Sequence, residues 1–192
     1  GVTIPLRQWS LDVWGEDLLA NPNGGKIYLW DATTGVGTRA VEIVAAPDEN
    51  NTIFVSQPTR HLVSLGCTDA ATATLDPLLV RWSDSEDYTD WTPSITNSAG
   101  SQRLRGGNNI IGSVQSRRET LIFTDDAVHT MRFIGGEFIF SFDELGKNAG
   151  LVAQHAAVDV NGVVYWMGLN SFFIYDGTMR TMGCTLQKST FD

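Results

Sequence analysis

"VVYWMGLNSFFIYDG", residues Val163–Gly177, sets two apolar runs on either side of a small polar break and closes on Asp176-Gly177. Each run is apolar at both odd and even positions. A half-solvated strand alternates apolar and polar residues, so this pattern predicts strands covered on both faces. The runs read as strands Val163–Met167 and Phe172–Tyr175, joined through Gly168–Ser171. A strand over Ala156–Val160 precedes them across Asn161-Gly162, a dipeptide that favours tight hairpins. Asp176-Gly177 makes another turn, into a strand over Thr178–Met182. The phrase is therefore the centre of a four-stranded meander.

The preceding text repeats the design. Strands are predicted over Asn109–Val114, Thr120–Phe123, Val128–Phe133 and Phe138–Phe142, with "QSRRE", "TDDA" and "IGGE" as connectors. Earlier still, Thr52–Gly66 reads as a hairpin, with Leu78–Trp82 as a third strand beyond "TDAATATLD". "DLLANPNGGKIYLWD" reads as a hairpin turning around Asn21–Gly25. Four-stranded units recurring at a period of about 40–50 residues point to a β-propeller, in which neighbouring blades cover both faces of each sheet. The predicted class is all-β, a β-propeller-like array of four-stranded antiparallel meanders. A β-sandwich is the runner-up, and it would show cleaner alternation. Residues 1–192 are expected to form one all-β region of about four blade-like units. Both ends read as cuts, so the chain is expected to be part of something longer. Arg39–Ala46 is the one stretch that also fits a short helix.

Composition narrows the function. Of 192 residues, 42% are apolar and 18% charged, enough for a packed core and against disorder. The net charge of −9 argues against a protein that grips DNA, because phosphate neutralisation supplies much of that affinity. An acidic wall could still surround DNA without holding it. The two cysteines, Cys67 and Cys184, form no CxxC; free buried thiols are expected, with a disulfide between them as the alternative. No apolar run is long enough to span a membrane.

Several local patterns carry possible chemistry. "GVGTRA", Gly35–Ala40, matches a dinucleotide fingerprint, but Pro47 cuts short the helix that would have to follow, and the next strand ends without an acid. It is expected to be a loop between blades. "SDSEDYTDW", Ser83–Trp91, offers Asp84, Glu86 and Asp90 as a calcium loop, but lacks the required glycine and bidentate acid. Read as a propeller Asp-box turn it has Ser85, Asp87 and Trp91, without the glycine. The plainer expectation is a solvated loop pinned by Trp91. His61, His129 and His155 make no metal-binding pair, and no G-x-S-x-G is present. No catalytic residue, metal or cofactor is assigned. Arg117-Arg118 reads as a solvated hairpin tip or a subunit contact. Trp82, Trp91 and Trp166 are candidates to stack on a ligand if exposed, and core fillers if not.

An ordered series of phrases adds a resemblance. "WSLDVWGEDLLA", "GGKIYLWD", "RHLVSLGC", "VRWSDSEDYTDWTP", "NSAGSQRL", "FTDDAVHTMRFIGG" and "VVYWMGLNSFFIYDG" follow one another from Trp9 to Gly177. Together they resemble the tail nozzle (tail tubular, DNA-stabilisation) proteins of short-tailed phages; no single phrase is diagnostic. The resemblance implies a structural virion protein of the tail and no enzyme. It implies a homo-oligomeric ring, usually of six copies, touching an adaptor above and tail-tip or fibre proteins below. Genomic DNA would pass through without tight binding. Whole nozzle proteins are much longer than this chain. The alternatives are a carbohydrate-binding propeller and a propeller hydrolase.

Overall fold

The computed structural model describes residues 7–136, 138–183 and 190. Cys184 lies outside them. The chain forms two compact units, residues 1–103 and 104–192. Each contains two antiparallel four-stranded sheets whose strands follow chain order.

In the first unit one sheet holds β1 (Trp9–Trp14), β2 (Asp17–Pro22), β3 (Tyr28–Trp30) and β4 (Val41–Glu42). The other holds β5 (Asn50–Ser56), β6 (His61–Thr68), β7 (Leu75–Trp82) and β8 (Gly100–Arg103). Trp14, Leu19, Ile27, Ile53, Val55, Leu62 and Trp91 are the main residues of the shared core. β1 lies against β5. Sheet edges normally leave amides unpaired. Here Ser10 Oγ accepts from the Ile53 amide at 3.1 Å and Asp12 Oδ2 from the Val55 amide at 2.7 Å. The polar residues of β1 thus seal the edge of the neighbouring sheet, while Trp14 on the same face enters the core.

The second unit pairs a sheet of β9 (Ile110–Gln115), β10 (Thr120–Thr124), β11 (Val128–Phe133) and β12 (Phe140–Gly146) with one of β13 (Ala157–Val160), β14 (Val163–Met167), β15 (Phe172–Tyr175) and β16 (Met179–Met182). Its core stacks Trp166 on Phe173, centroids 5.3 Å apart and planes 15° apart, with Phe123 tilted against Trp166. The Trp166 indole donates to the Ala149 carbonyl at 2.8 Å. Asn161 and Gly162 both have positive φ, 56° and 87°, and join Val160 to Val163 in a two-residue hairpin. That geometry suits the right-handed twist of the strands it connects.

Several expectations need correction. "GVGTRA" is not a loop between blades: it connects β3 to β4 within one sheet. Arg39–Ala46 contains β4 and no helix, in keeping with its β-branched valines and the nearby Pro47. β12 starts at Phe140 rather than Phe138, because Phe138 sits at the hairpin end and is 71% exposed. Double coverage holds along β6 and β10, where every residue is buried. It fails along β14 and β15, where buried and half-buried residues alternate. One face of that sheet joins the core and the other is partly open.

Candidate interaction surfaces

The densest polar constellation lies at the loop between β7 and β8. Asp84 is its hub. Its Oδ1 accepts from the Ser85 amide at 2.8 Å, the Ser98 amide at 2.7 Å and the Ser98 hydroxyl at 2.5 Å. Ser98 Oγ lies 3.0 Å from His61 Nε2, and His61 Nδ1 lies 2.7 Å from Thr59 Oγ1. The Trp82 indole donates to the Ser98 carbonyl at 2.8 Å, and Ser85 Oγ donates to the Thr59 carbonyl at 2.8 Å. Loop, strand β6 and the β5–β6 turn are thereby tied together.

Electrostatics fit a staple. Burial opposes ionisation of Asp84, but the hydrogen bonds from Ser98 and Ser85 outweigh it and hold the carboxyl below its ordinary value. Burial pushes His61 down, against the pull of the Asp84 charge. Asp, Ser and His are all present, yet in an order unlike a nucleophilic triad. There the imidazole stands between hydroxyl and carboxylate. Here the Ser98 hydroxyl stands between Asp84 and His61, and His61 is 1% exposed. The arrangement binds a loop and offers no free base to a substrate.

The three acids of the calcium reading do not converge. Asp84 faces Ser98, Glu86 pairs with Arg60 at 2.9 Å, and Asp90 accepts from the Asn97 amide group at 2.8 Å. Asp87, the Asp-box candidate, accepts from the Thr89 amide at 2.7 Å within its own turn. Among the described residues, no group of three or more His, Cys, Asp or Glu could hold a metal ion. The fingerprint "GVGTRA" follows a three-residue 3-10 turn, Ala32–Thr34, instead of opening a helix that could face a pyrophosphate.

Trp82, Trp91 and Trp166 are 7%, 3% and 3% exposed, so their rings fill cores instead of offering stacking faces. Trp91 anchors its loop by donating to the Tyr88 carbonyl at 2.8 Å. The buried Arg81 guanidinium lies 5.9 Å from the Trp91 ring and donates to the carbonyls of Thr68 and Trp91. Arg117 and Arg118 are exposed on the β9–β10 turn, where the Ser116 amide donates to the Glu119 carbonyl. Cys67 is a buried free thiol, pushed up to about 11 by burial. His129 is buried and lowered by desolvation, while His155 is exposed.

The surfaces that sequence reasoning missed are apolar. Trp9, Leu11 and Val13 alternate along β1 and are 51%, 61% and 57% exposed. By register they share a face with Ala20, Leu18 and Tyr28. Val158 and Val160 on β13 are 54% and 49% exposed. Their row continues across the sheet through Tyr165 and Ile174. The signal was present in the alternation of "WSLDVW", where the polar residues are the ones facing the neighbouring sheet.

No family model matches the chain, and no curated protein matches it. Among solved structures it is similar to the computationally designed Ika4 protein, with 15% identity and a TM-score of 0.50 over 90% of this chain and 88% of that one. It is also similar to BamB from Moraxella catarrhalis, with 15% identity and a TM-score of 0.52 over 90% of this chain and 48% of that one. The chain thus spans about half the length of BamB. With the four meanders, these likenesses make the fold an all-β, β-propeller-like array.

Proposed function

We propose that the chain is a structural subunit of a phage tail nozzle, one copy in a ring that extends and closes the channel for DNA. The role is mechanical and electrostatic rather than chemical. The observation that carries it is the ordered series of phrases from Trp9 to Gly177, which spans all four meanders. The charge supports it as well. The first unit holds thirteen acidic and six basic residues, and the second nine and seven. A net-acidic surface repels a polyanion and lets it slide, whereas a basic one would retain it. Packed sheets joined mostly by tight turns suit a part that must resist deformation. In the virion tail the partners would be further copies, an adaptor above, and tail-tip or fibre proteins below.

The carbohydrate-binding alternative loses its proposed platforms, since Trp82, Trp91 and Trp166 are buried. The decisive experiment is electron cryo-microscopy of the source particle. Density for this chain in a ring around a DNA-filled tube is the expected result. Its location away from any tube overturns the reading. A mobility-shift assay at low ionic strength adds a second check, with no retention of duplex DNA expected.

A further inference from the structure

The hydrogen bonds beneath loop 83–99 fix where each proton sits as well as where the loop lies. A hydroxyl has one proton to give and two lone pairs. Ser98 Oγ lies 2.5 Å from Asp84 Oδ1, 2.9 Å from the Ser85 amide nitrogen and 3.0 Å from His61 Nε2. A carboxylate only accepts and a backbone amide only donates, so the hydroxyl proton goes to Asp84. The imidazole must then donate to Ser98 through Nε2. Its bare Nδ1 accepts from the Thr59 hydroxyl at 2.7 Å. The donors all point one way, from Thr59 through His61 and Ser98 to Asp84, and each bond polarises the next.

A second proton on this ring would sit on Nδ1 and face the Thr59 oxygen, so the Thr59 hydroxyl would have to turn. It would also put a charge where His61 is 1% exposed, which is costly. Asp84 faces the ring from the loop, one hydroxyl away, and its charge favours the proton. On the β5–β6 turn the charge of Arg60 is met by Glu86 at 2.9 Å, and its guanidinium lies 4.7 Å from the Trp14 ring. The registered neighbour on β5 is the uncharged Ser56, and the end of β7 brings Trp82 and Ser83. Burial is the larger effect and holds the imidazole below its ordinary 6.5.

We propose that this chain of bonds is a proton-operated latch: neutral His61 closes it, and a proton taken up by His61 releases the base of the loop, residues 84–86 and 97–99, from the β5–β6 turn. The sign follows from linkage. In the open form the hydrated ring binds a proton with its ordinary affinity, and in the closed form it binds one more weakly. Acid therefore favours the open form as pH falls from 6.5 to the folded value, and the effect levels off below that. Asp84 is held below its ordinary 3.8 and stays ionised over this range, so the response belongs to the imidazole. The loop base is the part that gives, because little else holds it. Residues 83–99 join none of the four sheets, and the bridge between Asp84 and Asp87 is internal to the loop. Residues 92–96 are exposed. Ser85 Oγ donates to the Thr59 carbonyl and the Glu86 amide to the Arg60 carbonyl at 3.0 Å. Trp91, 3% exposed, keeps the middle of the loop in the core. Segments held so lightly open before the sheets do. The latch stands independently of the nozzle reading.

The test follows hydrogen exchange in the 192-residue chain by NMR between about pH 8 and about pH 5, each rate divided by the intrinsic rate at that pH. Three reporters sit at the loop base. They are the Glu86 amide, the Ser98 amide and the Trp82 indole N–H, which donate to the Arg60 carbonyl, the Asp84 carboxylate and the Ser98 carbonyl. Their protection should be level above 6.5 and fall below it by up to about tenfold per pH unit. The Ile53 and Val55 amides of β5 should keep theirs. Nitrogen shifts of the neutral ring should place its proton on Nε2. His61→Gln sets an amide nitrogen near the position of Nε2, where it donates to Ser98 without titrating, so its reporters should show no fall. Protection that is independent of pH in the parent chain overturns the proposal, as does a neutral ring protonated on Nδ1. An equal loss at Ile53 and Val55 also overturns it, because the whole unit would then be opening. A fall retained in His61→Gln overturns it by assigning the proton to another group. If that variant does not fold, the titration of His61 in the parent chain decides, and a midpoint at or above 6.5 removes the linkage.

Discussion

The two units solve the same architectural problem with different chemistry. The second is held by aromatic packing and local turns: Trp166, Phe173 and Phe123 form one stack, and β13 joins β14 through two residues. The first relies on polar side chains reaching far along the chain. Asp84 ties residue 98 to residue 61, Ser10 and Asp12 cap β5, and Asn50 Nδ2 donates to the Gly25 carbonyl at 3.0 Å. A buried apolar stack is tolerant of bonding geometry but costly to hollow out. A polar staple contributes less, and it is sensitive to single atoms and to pH.

The sharpest contrast comes from emptying the stack. Trp166→Ala should cost about 3–5 kcal/mol, the range for truncating a large buried aromatic, and it also leaves the Ala149 carbonyl without its donor. Loss of the cooperative thermal transition assigned to the second unit by hydrogen exchange is the expected result. An unchanged melting temperature would mean that the stack is not the keystone of that unit. The equivalent cut in the first unit is Asp84→Ala, which strands the Ser98 and Ser85 amides. Its cost should be smaller, about 1–3 kcal/mol, because the loop is partly hydrated and water can replace some of the lost bonds. Faster exchange confined to residues 83–99 is expected, with the second unit unaffected.

The pH response should separate the units less sharply but has a definite sign. His61 in the first unit and His129 in the second are both held below the ordinary value of 6.5, chiefly by burial. The Asp84 carboxylate opposes this at His61, and the Arg105 backbone and Glu144 oppose it at His129. A base with a lowered folded pKa binds more protons when unfolded. Its contribution is intact above 6.5 and is lost as pH falls from there through the folded value. Melting temperature should therefore drop on acidification from neutral pH. His61→Gln should flatten part of that slope, and an unchanged slope would show that His61 does not titrate in this window.

The same contrast explains what could be read in advance. In the second unit most strands are marked by apolar text, and three of the turns by Asn161-Gly162, Asp176-Gly177 and Gly135-Gly136. The hairpins expected there all form. In the first unit β4 and β8 carry no clear signal, whereas β1 is marked by the alternation of "WSLDVW". β8 is "GSQR", an exposed edge without alternation, and β4 is two residues long. Glycine at position 66 marks a bulge, with φ 59° where β6 and β7 shift register, and any side chain would press on Asn51 and the Pro77 carbonyl. Periodicity alone does not reveal such a break. The Asp84–Ser98–His61 chain was invisible for the same reason, since folding alone brings together residues separated by 14 and 37 positions. The burial of Trp82 and Trp91 was likewise illegible, since the Trp82 indole meets the Ser98 carbonyl only after folding.

The smallest effect is expected at Arg117 and Arg118, and its smallness is informative. Both are exposed on a turn whose backbone closes without them, through the Ser116 amide and the Glu119 carbonyl. The nearby ionic pairing belongs to Arg132, which reaches Asp143 at 2.6 Å and Glu119 at 3.6 Å, while the Tyr175 hydroxyl donates to Glu119 at 2.5 Å. Replacing Arg117 and Arg118 together by alanine should change stability by less than about 0.5 kcal/mol, as exposed substitutions away from special features do. If this turn is a contact between copies, the same replacement should weaken self-association in sedimentation velocity while melting stays intact. An unchanged association would remove the pair from any such contact. Added salt should weaken a contact made through these two arginines, because it screens interactions between exposed charges.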